Sequence, residues 1–352
     1  MKRHNNPLAA DLEHILGHTG ELWEDLRGKH LFITGGTGFF GRWLLESFSW
    51  ANEVFGLNAS ALVLSRHPEA FKIKSPELAS NPAIRFHAGD VRYYDFPEGE
   101  FSHIIHAATT SAAATFNKED ALVKFDTTVE GTRRTLDFAT RCGAEKVLVT
   151  SSGAVYGRQP HSMSHIPEDF NGAPDPSDPG SALGEGKRAA EFLCAYYATK
   201  YGFEIKIARC FTFVGPFLQL DIHYAIGNFI RDALTGGPIV VQGDGTPYRS
   251  YLYASDLMIW LWTILIKGKC VYPYNVGSEY DVTIGELASI VSQGTGGHVE
   301  IRVDGSVSGY GRADRYVPSI SRARQDLGLT QTVSLREALE KTIVFYRDRE
   351  HK

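Results

Sequence analysis

A doubly wound α/β fold, with a parallel sheet covered by helices on both faces and a smaller lobe at the C-terminal end, is what this sequence predicts. Three observations carry it. The apolar run His30-Leu31-Phe32-Ile33-Thr34 leads into a glycine-rich turn and then a helix, similar runs return up to about residue 150, and beyond about residue 210 the pattern breaks into shorter segments.

Residues 1–28 read as an amphipathic helical extension, with Leu8, Leu12, Ile15 and Leu16 at helical spacing, whose plain role is packing against the main domain. The first strand follows, and Arg42-Trp43-Leu44-Leu45-Glu46-Ser47-Phe48 opens a helix after the glycines. Further strands are expected at Ala61-Leu62-Val63-Leu64-Ser65, Ile84-Arg85-Phe86-His87-Ala88, His103-Ile104-Ile105-His106 and Lys146-Val147-Leu148-Val149-Thr150. Helical segments lie between most of them, and such alternation favours parallel strands. Helices are expected around 117–141 and 187–201. The boundaries drawn are 1–28 for the extension, 29–210 for the main α/β domain and 211–352 for a lobe that returns some strands to the main sheet. Turns at Gly236-Gly237-Pro238 and Gly243-Asp244-Gly245 mark the lobe.

The 352 residues are 43% hydrophobic, enough to fill a sizeable core, and the formal net charge is only −5. Lys and Arg form no run or stripe that could follow a phosphate backbone, which argues against a nucleic-acid partner. No stretch reaches the roughly 18 apolar residues of a membrane span. Cys142, Cys194, Cys210 and Cys270 lie far apart without metal-ligand spacing, so reduced thiols, no metal and a cytoplasmic setting are expected.

Gly35, Gly38 and Gly41 stand between a strand and a helix, where residues without a Cβ let the backbone turn tightly, approach a pyrophosphate and pack the helix on the sheet. The helix start then faces the phosphates with free N–H groups and the positive end of its dipole. This is a Rossmann-type site for NAD or NADP, formed by Gly35, Thr37, Gly38, Phe39, Phe40 and Gly41. An acidic residue at the end of the second strand would accept the ribose hydroxyls of NAD; this chain has Ser65-Arg66, which leaves room and charge for a 2′-phosphate and leans toward NADP. Asp90-Val91 is placed to address the adenine, although Asp90 reads equally well as a turn residue.

Several motifs in order then resemble the extended short-chain dehydrogenase/reductase family, in its nucleotide-sugar branch of epimerases, dehydratases, decarboxylases and ketoreductases, over roughly residues 29–345. They are Thr34 to Gly41, His106-Ala107-Ala108, Ser151-Ser152-Gly153-Ala154-Val155-Tyr156-Gly157, Gly184-Glu185-Gly186-Lys187, Arg209 to Pro216, and Arg249-Ser250-Tyr251-Leu252-Tyr253-Ala254-Ser255-Asp256. The resemblance implies that Ala107 and Ala108 line the nicotinamide ribose, that Ser152 hydrogen-bonds the reacting sugar oxygen, and that Lys187 holds the ribose hydroxyls and lowers the pKa of a neighbouring phenol. The alternative for Ser152 is a turn cap.

The family's usual tyrosine, four residues before the lysine, is replaced by Leu183, which neither takes nor gives a proton. Three readings follow: a lost base with binding intact, chemistry through a water held by Ser152 and Lys187, or a scaffold that binds a nucleotide sugar without turnover. Glu185, two residues from Lys187, points to another side of the helix. Dehydratases in the branch carry an Asp-Glu pair after the strand-end hydroxyl, and decarboxylases usually keep the Glu. Gly153 and Ala154 stand there, so C4 epimerisation or 4-keto reduction fits better than 4,6-dehydration or uronate decarboxylation. A carbonyl reductase for a non-sugar substrate is a further class.

For the nucleoside diphosphate sugar, the resemblance assigns Arg249 and Arg312 to the diphosphate and Asn228, Thr109 and Thr212 to substrate contacts. The plain alternatives are an Arg249–Asp256 pair and a helix cap at Asn228. Thr128 and Thr212 stand where relatives often have Asn, and each keeps one hydrogen-bonding oxygen only. Leu122, Phe125, Val129, Leu136, Phe138, Phe192, Leu193 and Tyr196 form apolar stripes on two helices that pair across a two-fold axis in relatives, so a homodimer is expected, although core packing would give the same stripes.

Overall fold

The computed structural model describes residues 6–110, 119–222, 224–296, 299–305 and 314–350. Its first half alternates as expected. Helix α1 (Ala9–Thr19) precedes β1 (His30–Thr34), α2 (Phe39–Val54), β2 (Ser60–Ser65), α3 (Pro68–Lys74), α4 (Pro76–Ala79), β3 (Ile84–Ala88) and β4 (His103–His106). Then come α5 (Ala121–Arg141), β5 (Lys146–Ser152), α6 (Ala182–Tyr201), β6 (Glu204–Cys210), β7 (Phe213–Val214), α7 (Ala225–Leu234), β8 (Ile239–Val241), β9 (Tyr248–Ser250) and β10 (Leu252–Tyr253). The chain closes with α8 (Ala254–Lys267), β11 (Tyr274–Val276), β12 (Asp281–Thr283), α9 (Ile284–Gly294), β13 (Ile301–Val303), β14 (Arg315–Tyr316), α10 (Ser321–Leu327) and α11 (Leu335–Glu350).

Seven strands form one sheet in the order β11-β6-β5-β4-β1-β2-β3, and every pairing in it is parallel. Both faces are covered, which is why β1 and β4 read as unbroken apolar runs rather than alternating ones. The strand order reverses between β1 and β4, and in sheets of this kind ligands bind in the crevice at that reversal, outside the carboxyl ends of the strands.

The extension folds as α1 followed by a 3₁₀ segment, Gly20–Leu26, instead of one helix through residue 28. Leu8, Leu12, Ile15 and Leu16 are buried in the main core, where α8 is enclosed from Ala254 to Leu265. Trp23 meets Trp262 with ring centroids 4.7 Å apart, and Trp262 donates to Ser47 of α2 at 2.9 Å. Extension, α2 and α8 are therefore one packed layer.

Two helix starts differ from the expected ones. Helix α2 begins at Phe39 rather than Arg42, so the glycine turn runs straight into it. Helix α6 begins at Ala182 rather than near 187, because a 3₁₀ turn capped by Asp178, which accepts from the Gly180 amide at 2.8 Å, feeds directly into it. Leu183 thus sits in the first turn of α6.

The C-terminal strands make three small sheets, β12-β9-β14, β10-β7 and β13-β8. In the first, β14 runs parallel to β9 with Tyr316 opposite Arg249 and Arg315 opposite Tyr248.

Candidate active site

The β1 and β4 loops meet at the sheet's reversal with almost no space between them. Gly35 has φ +72°, and a Cβ there would lie 2.5 Å from the Ala107 carbonyl carbon and oxygen. Only glycine tolerates both the conformation and the approach. Thr34 Oγ1 accepts from the Ala108 amide at 3.3 Å and lies 2.8 Å from His106 Nδ1, tying the two loops together. Gly41 serves the helix in the same way, since its Cβ would fall 2.2 Å from Gly36 Cα.

Gly38 differs from these two. A Cβ on it would meet nothing closer than the Gly35 carbonyl at 3.6 Å, so the space over this turn is open. Gly38 is also the N-cap of α2, no side chain caps the helix, and its first turn holds no acidic residue. Amides facing open space with no carboxylate beside them suit a pyrophosphate. Thr37 is exposed at this turn; Phe39 and Phe40 are half-buried, and Phe40 packs edge-on to Phe213 at 5.0 Å.

At the end of β2, Ser65 is buried and accepts from the His67 amide at 3.2 Å, whereas Arg66 is exposed. Asp90 receives the Arg92 guanidinium at 2.9 and 3.1 Å and the Arg92 amide at 3.0 Å, and the Arg92 bond holds its carboxyl below the usual range. It is thus both a turn residue and one half of an ion pair. Val91 packs against α5 at Gly131, where a Cβ would come within 2.9 Å of it.

Ser152 ends β5, and its Oγ accepts from the Ala154 amide at 3.1 Å. It does cap a turn, and the phenol oxygen of Tyr316 lies over the next residue, 2.6 Å from where a Cβ on Gly153 would stand. Lys187 is fully buried and donates to the Thr150 carbonyl at 2.6 Å; burial pulls its pKa down to about 8. Beneath both, Ser151 donates to Glu191 at 2.5 Å, and Glu191 takes the Arg209 guanidinium at 2.7 and 3.0 Å. Arg209 in turn reaches the Tyr156 hydroxyl at 2.9 Å, and that hydroxyl donates to Asn275 at 2.8 Å. These bonds hold the β5 end rigid and commit Tyr156 elsewhere. Leu183 offers no polar atom, and Gly184 beside it lets α6 approach the Ala154 carbonyl, 2.6 Å from where a Cβ would stand.

The substrate-side residues divide. Arg249 is half-buried and pairs with Asp314 at 3.0 Å, not with Asp256. Asp256 is enclosed at the start of α8, where it accepts from the amides of Thr332 at 3.1 Å and Val333 at 3.0 Å, so the Arg249–Asp256 alternative does not hold. Tyr224, not Asn228, is the N-cap of α7. With its amide nitrogen facing the preceding loop, Asn228 donates to the carbonyls of Ile222 at 2.7 Å and Leu220 at 3.2 Å, which ties that loop down. Thr212 donates to the Ser250 carbonyl, and Thr128 to Lys124 within its own helix at 2.9 Å. Ala107 and Ala108 are half-buried, Thr109 is exposed, and Arg312 lies outside the described residues.

Tyr316, Glu191 and the role of Arg209 were not expected from the sequence. Tyr316 carries no motif, and the pairing of β14 with β9 brings its hydroxyl over Gly153.

Comparison with known proteins agrees with this geometry. The family model described as "NAD dependent epimerase/dehydratase family" matches residues 31–277. UDP-glucuronic acid decarboxylase 6 of Arabidopsis thaliana is 33% identical over 312 residues, covering 88% of this chain and 86% of that protein. UDP-glucuronic acid decarboxylase 1 of Xenopus tropicalis is 29% identical, covering 91% and 72%. Among solved structures, UDP-glucuronic acid 4-epimerase from Bacillus cereus, in complex with UDP-glucuronic acid and NAD, superposes with a TM-score of 0.75 at 22% identity, covering 91% of this chain and 99% of that one. With its seven-stranded sheet, its glycine cradle and a family match over most of its length, the chain belongs to the NAD-dependent epimerase/dehydratase family of enzymes.

Proposed function

We propose that the protein is an NAD(P)-dependent enzyme that exchanges hydride at a carbon of a nucleoside diphosphate sugar, as a C4 epimerase or a 4-keto reductase. One observation carries this reading: Ser152 stands at the end of β5, the strand whose Thr150 carbonyl Lys187 holds, on the same sheet as the open glycine turn. A hydroxyl beside a reacting oxygen both donates and accepts, as hydride exchange requires. When bound, the nicotinamide supplies or accepts the hydride; Gly35, Gly38 and Gly41 would hold its pyrophosphate, and Ala107, Ala108 and Lys187 its ribose. Arg66, exposed and without an ion pair among the described residues, supports NADP over NAD.

A second reading, decarboxylation of a nucleotide-linked uronate, is favoured by the names of the relatives at about one-third identity. A uronate oxidised at C4 is a β-keto acid and loses CO₂ without a dedicated acid, so Ala154 is less of an obstacle than the motif comparison suggests. Incubation with UDP-glucuronate, UDP-glucose or a nucleotide-linked 4-keto sugar, with NAD(H) or NADP(H), followed by NMR of the products, separates the two. Inverted or reduced C4 supports the first, and a pentose product the second. No change in any sugar removes both and leaves a binding protein.

The exposed face of α5 and α6 supports a homodimer. Val129, Leu136, Phe138 and Leu193 are core residues, but Leu122 is 70%, Phe192 69% and Tyr196 48% exposed. Their burial against a second copy explains apolar rings that the monomer leaves in water.

A further inference from the structure

Two hydrogen bonds lace α6 to the end of β5, and they run in opposite directions. Lys187 donates to the Thr150 carbonyl at 2.6 Å, and Ser151, the next residue of the strand, donates to Glu191 at 2.5 Å. Lys187 and Glu191 stand one turn apart on one face of α6. The carboxylate is also gripped from β6. Arg209 gives it two parallel bonds, Nε to Oε1 at 3.0 Å and Nη2 to Oε2 at 2.7 Å, and both side chains are only 14% exposed. The remaining nitrogen of that guanidinium donates to the Tyr156 hydroxyl at 2.9 Å and to the Glu168 carbonyl at 3.1 Å. A fork held at both ends fixes where the carboxylate stands.

We propose that Glu191 is the positioning residue for Lys187: it pins α6 to β5 through Ser151 and supplies the negative charge that keeps the Lys187 ammonium in place for the cofactor. This rests on the reading above, in which Lys187 holds the nicotinamide ribose. An ammonium donates to ribose hydroxyls more strongly than a neutral amine does, so the charge on Lys187 sets part of the cofactor affinity.

The other titratable groups that act on the ammonium carry no charge near neutral pH. Burial holds His106 of β4 neutral, with its pKa down at about 3, and it pushes up the thiols of Cys210 on β6, to about 12, and of Cys194 on α6, further still. Burial also draws Lys187 itself down to about 8, and the Glu191 carboxylate opposes that fall. Arg209 limits the opposition, because it shares the same carboxylate. Removing Glu191 and removing Arg209 therefore push the Lys187 ammonium in opposite directions.

Glu191→Gln keeps the shape and an oxygen for Ser151 while removing the charge. Calorimetric titration with NADPH and NADH over a series of pH values reads the effect. Wild-type affinity should decline above about pH 8, as Lys187 loses its proton. In Glu191→Gln the decline should begin at least about half a pH unit lower, and in Arg209→Gln, which leaves the carboxylate to Lys187 alone, about as much higher. Adding Lys187→Met should abolish the decline in all three chains. A merely structural defect lowers affinity alike at every pH and shifts neither midpoint. Should Glu191→Gln not fold, the upward shift in Arg209→Gln decides by itself, since damage to the fold does not extend binding to higher pH. A wild-type affinity without the decline, or variants that decline where wild type does, overturn the proposal and leave the hydride reading standing. A wild-type chain that binds neither dinucleotide at any pH overturns both.

Discussion

The Lys187 ammonium donates to the Thr150 carbonyl at 2.6 Å inside a pocket that water does not reach. Folding takes its pKa from 10.5 to about 8, with burial as the main cause. Below pH 8 both folded and unfolded chains hold the proton, and the cost of the buried charge is fully present. Between about 8 and 10.5 the unfolded chain holds a proton that the folded one lacks, so stability rises with pH. Lys187→Met should therefore be more stable than wild type at pH 7, by about 1–3 kcal/mol, and this advantage should vanish by pH 10.5. Urea unfolding at several pH values measures it; equal stabilities at pH 7 would contradict the assignment.

The glycines of the turn are expected to separate by role. Gly35→Ala forces a side chain into positive φ and into the Ala107 backbone, costing about 3 kcal/mol or more. Gly38→Ala meets no neighbour, so its melting temperature should stay near wild type while dinucleotide affinity falls about tenfold, or about 1.4 kcal/mol. Thermal melts and calorimetric titration with NAD and NADP distinguish the two, and a Gly38→Ala chain that binds normally would show that the pyrophosphate lies elsewhere.

Arg66 tests cofactor preference. If it receives the 2′-phosphate, Arg66→Ala should weaken NADPH by about tenfold to a hundredfold, the worth of a charge-assisted pair at a half-open site, and leave NADH unchanged. Parallel losses for both cofactors would assign Arg66 to a surface role.

Phe192 tests the dimer. Phe192→Asp places a charge on the exposed α5–α6 face, where Phe192 is 69% exposed, and should convert a dimer to a monomer in sedimentation velocity without lowering the melting temperature of the monomer. A wild-type chain that sediments as a monomer at micromolar concentration removes this proposal directly.

Much of the frame was legible in the residues themselves. β1 and β4 lie where short apolar runs end in turn residues, and the glycine turn stands between a strand and a helix. Both are local: a buried strand needs a contiguous apolar run, and a turn at positive φ needs glycine wherever it occurs. The long-range partners were not legible. Arg249 meets Asp314 instead of Asp256, and the Tyr316 hydroxyl lies over the backbone of Gly153, only because β14 and β9 pair and fold the lobe back over the end of β5. A side chain's type and neighbours in sequence set what it is able to bond; which distant group stands within 3 Å of it is decided by strand pairing and packing across the whole chain, and that is a property of the tertiary fold.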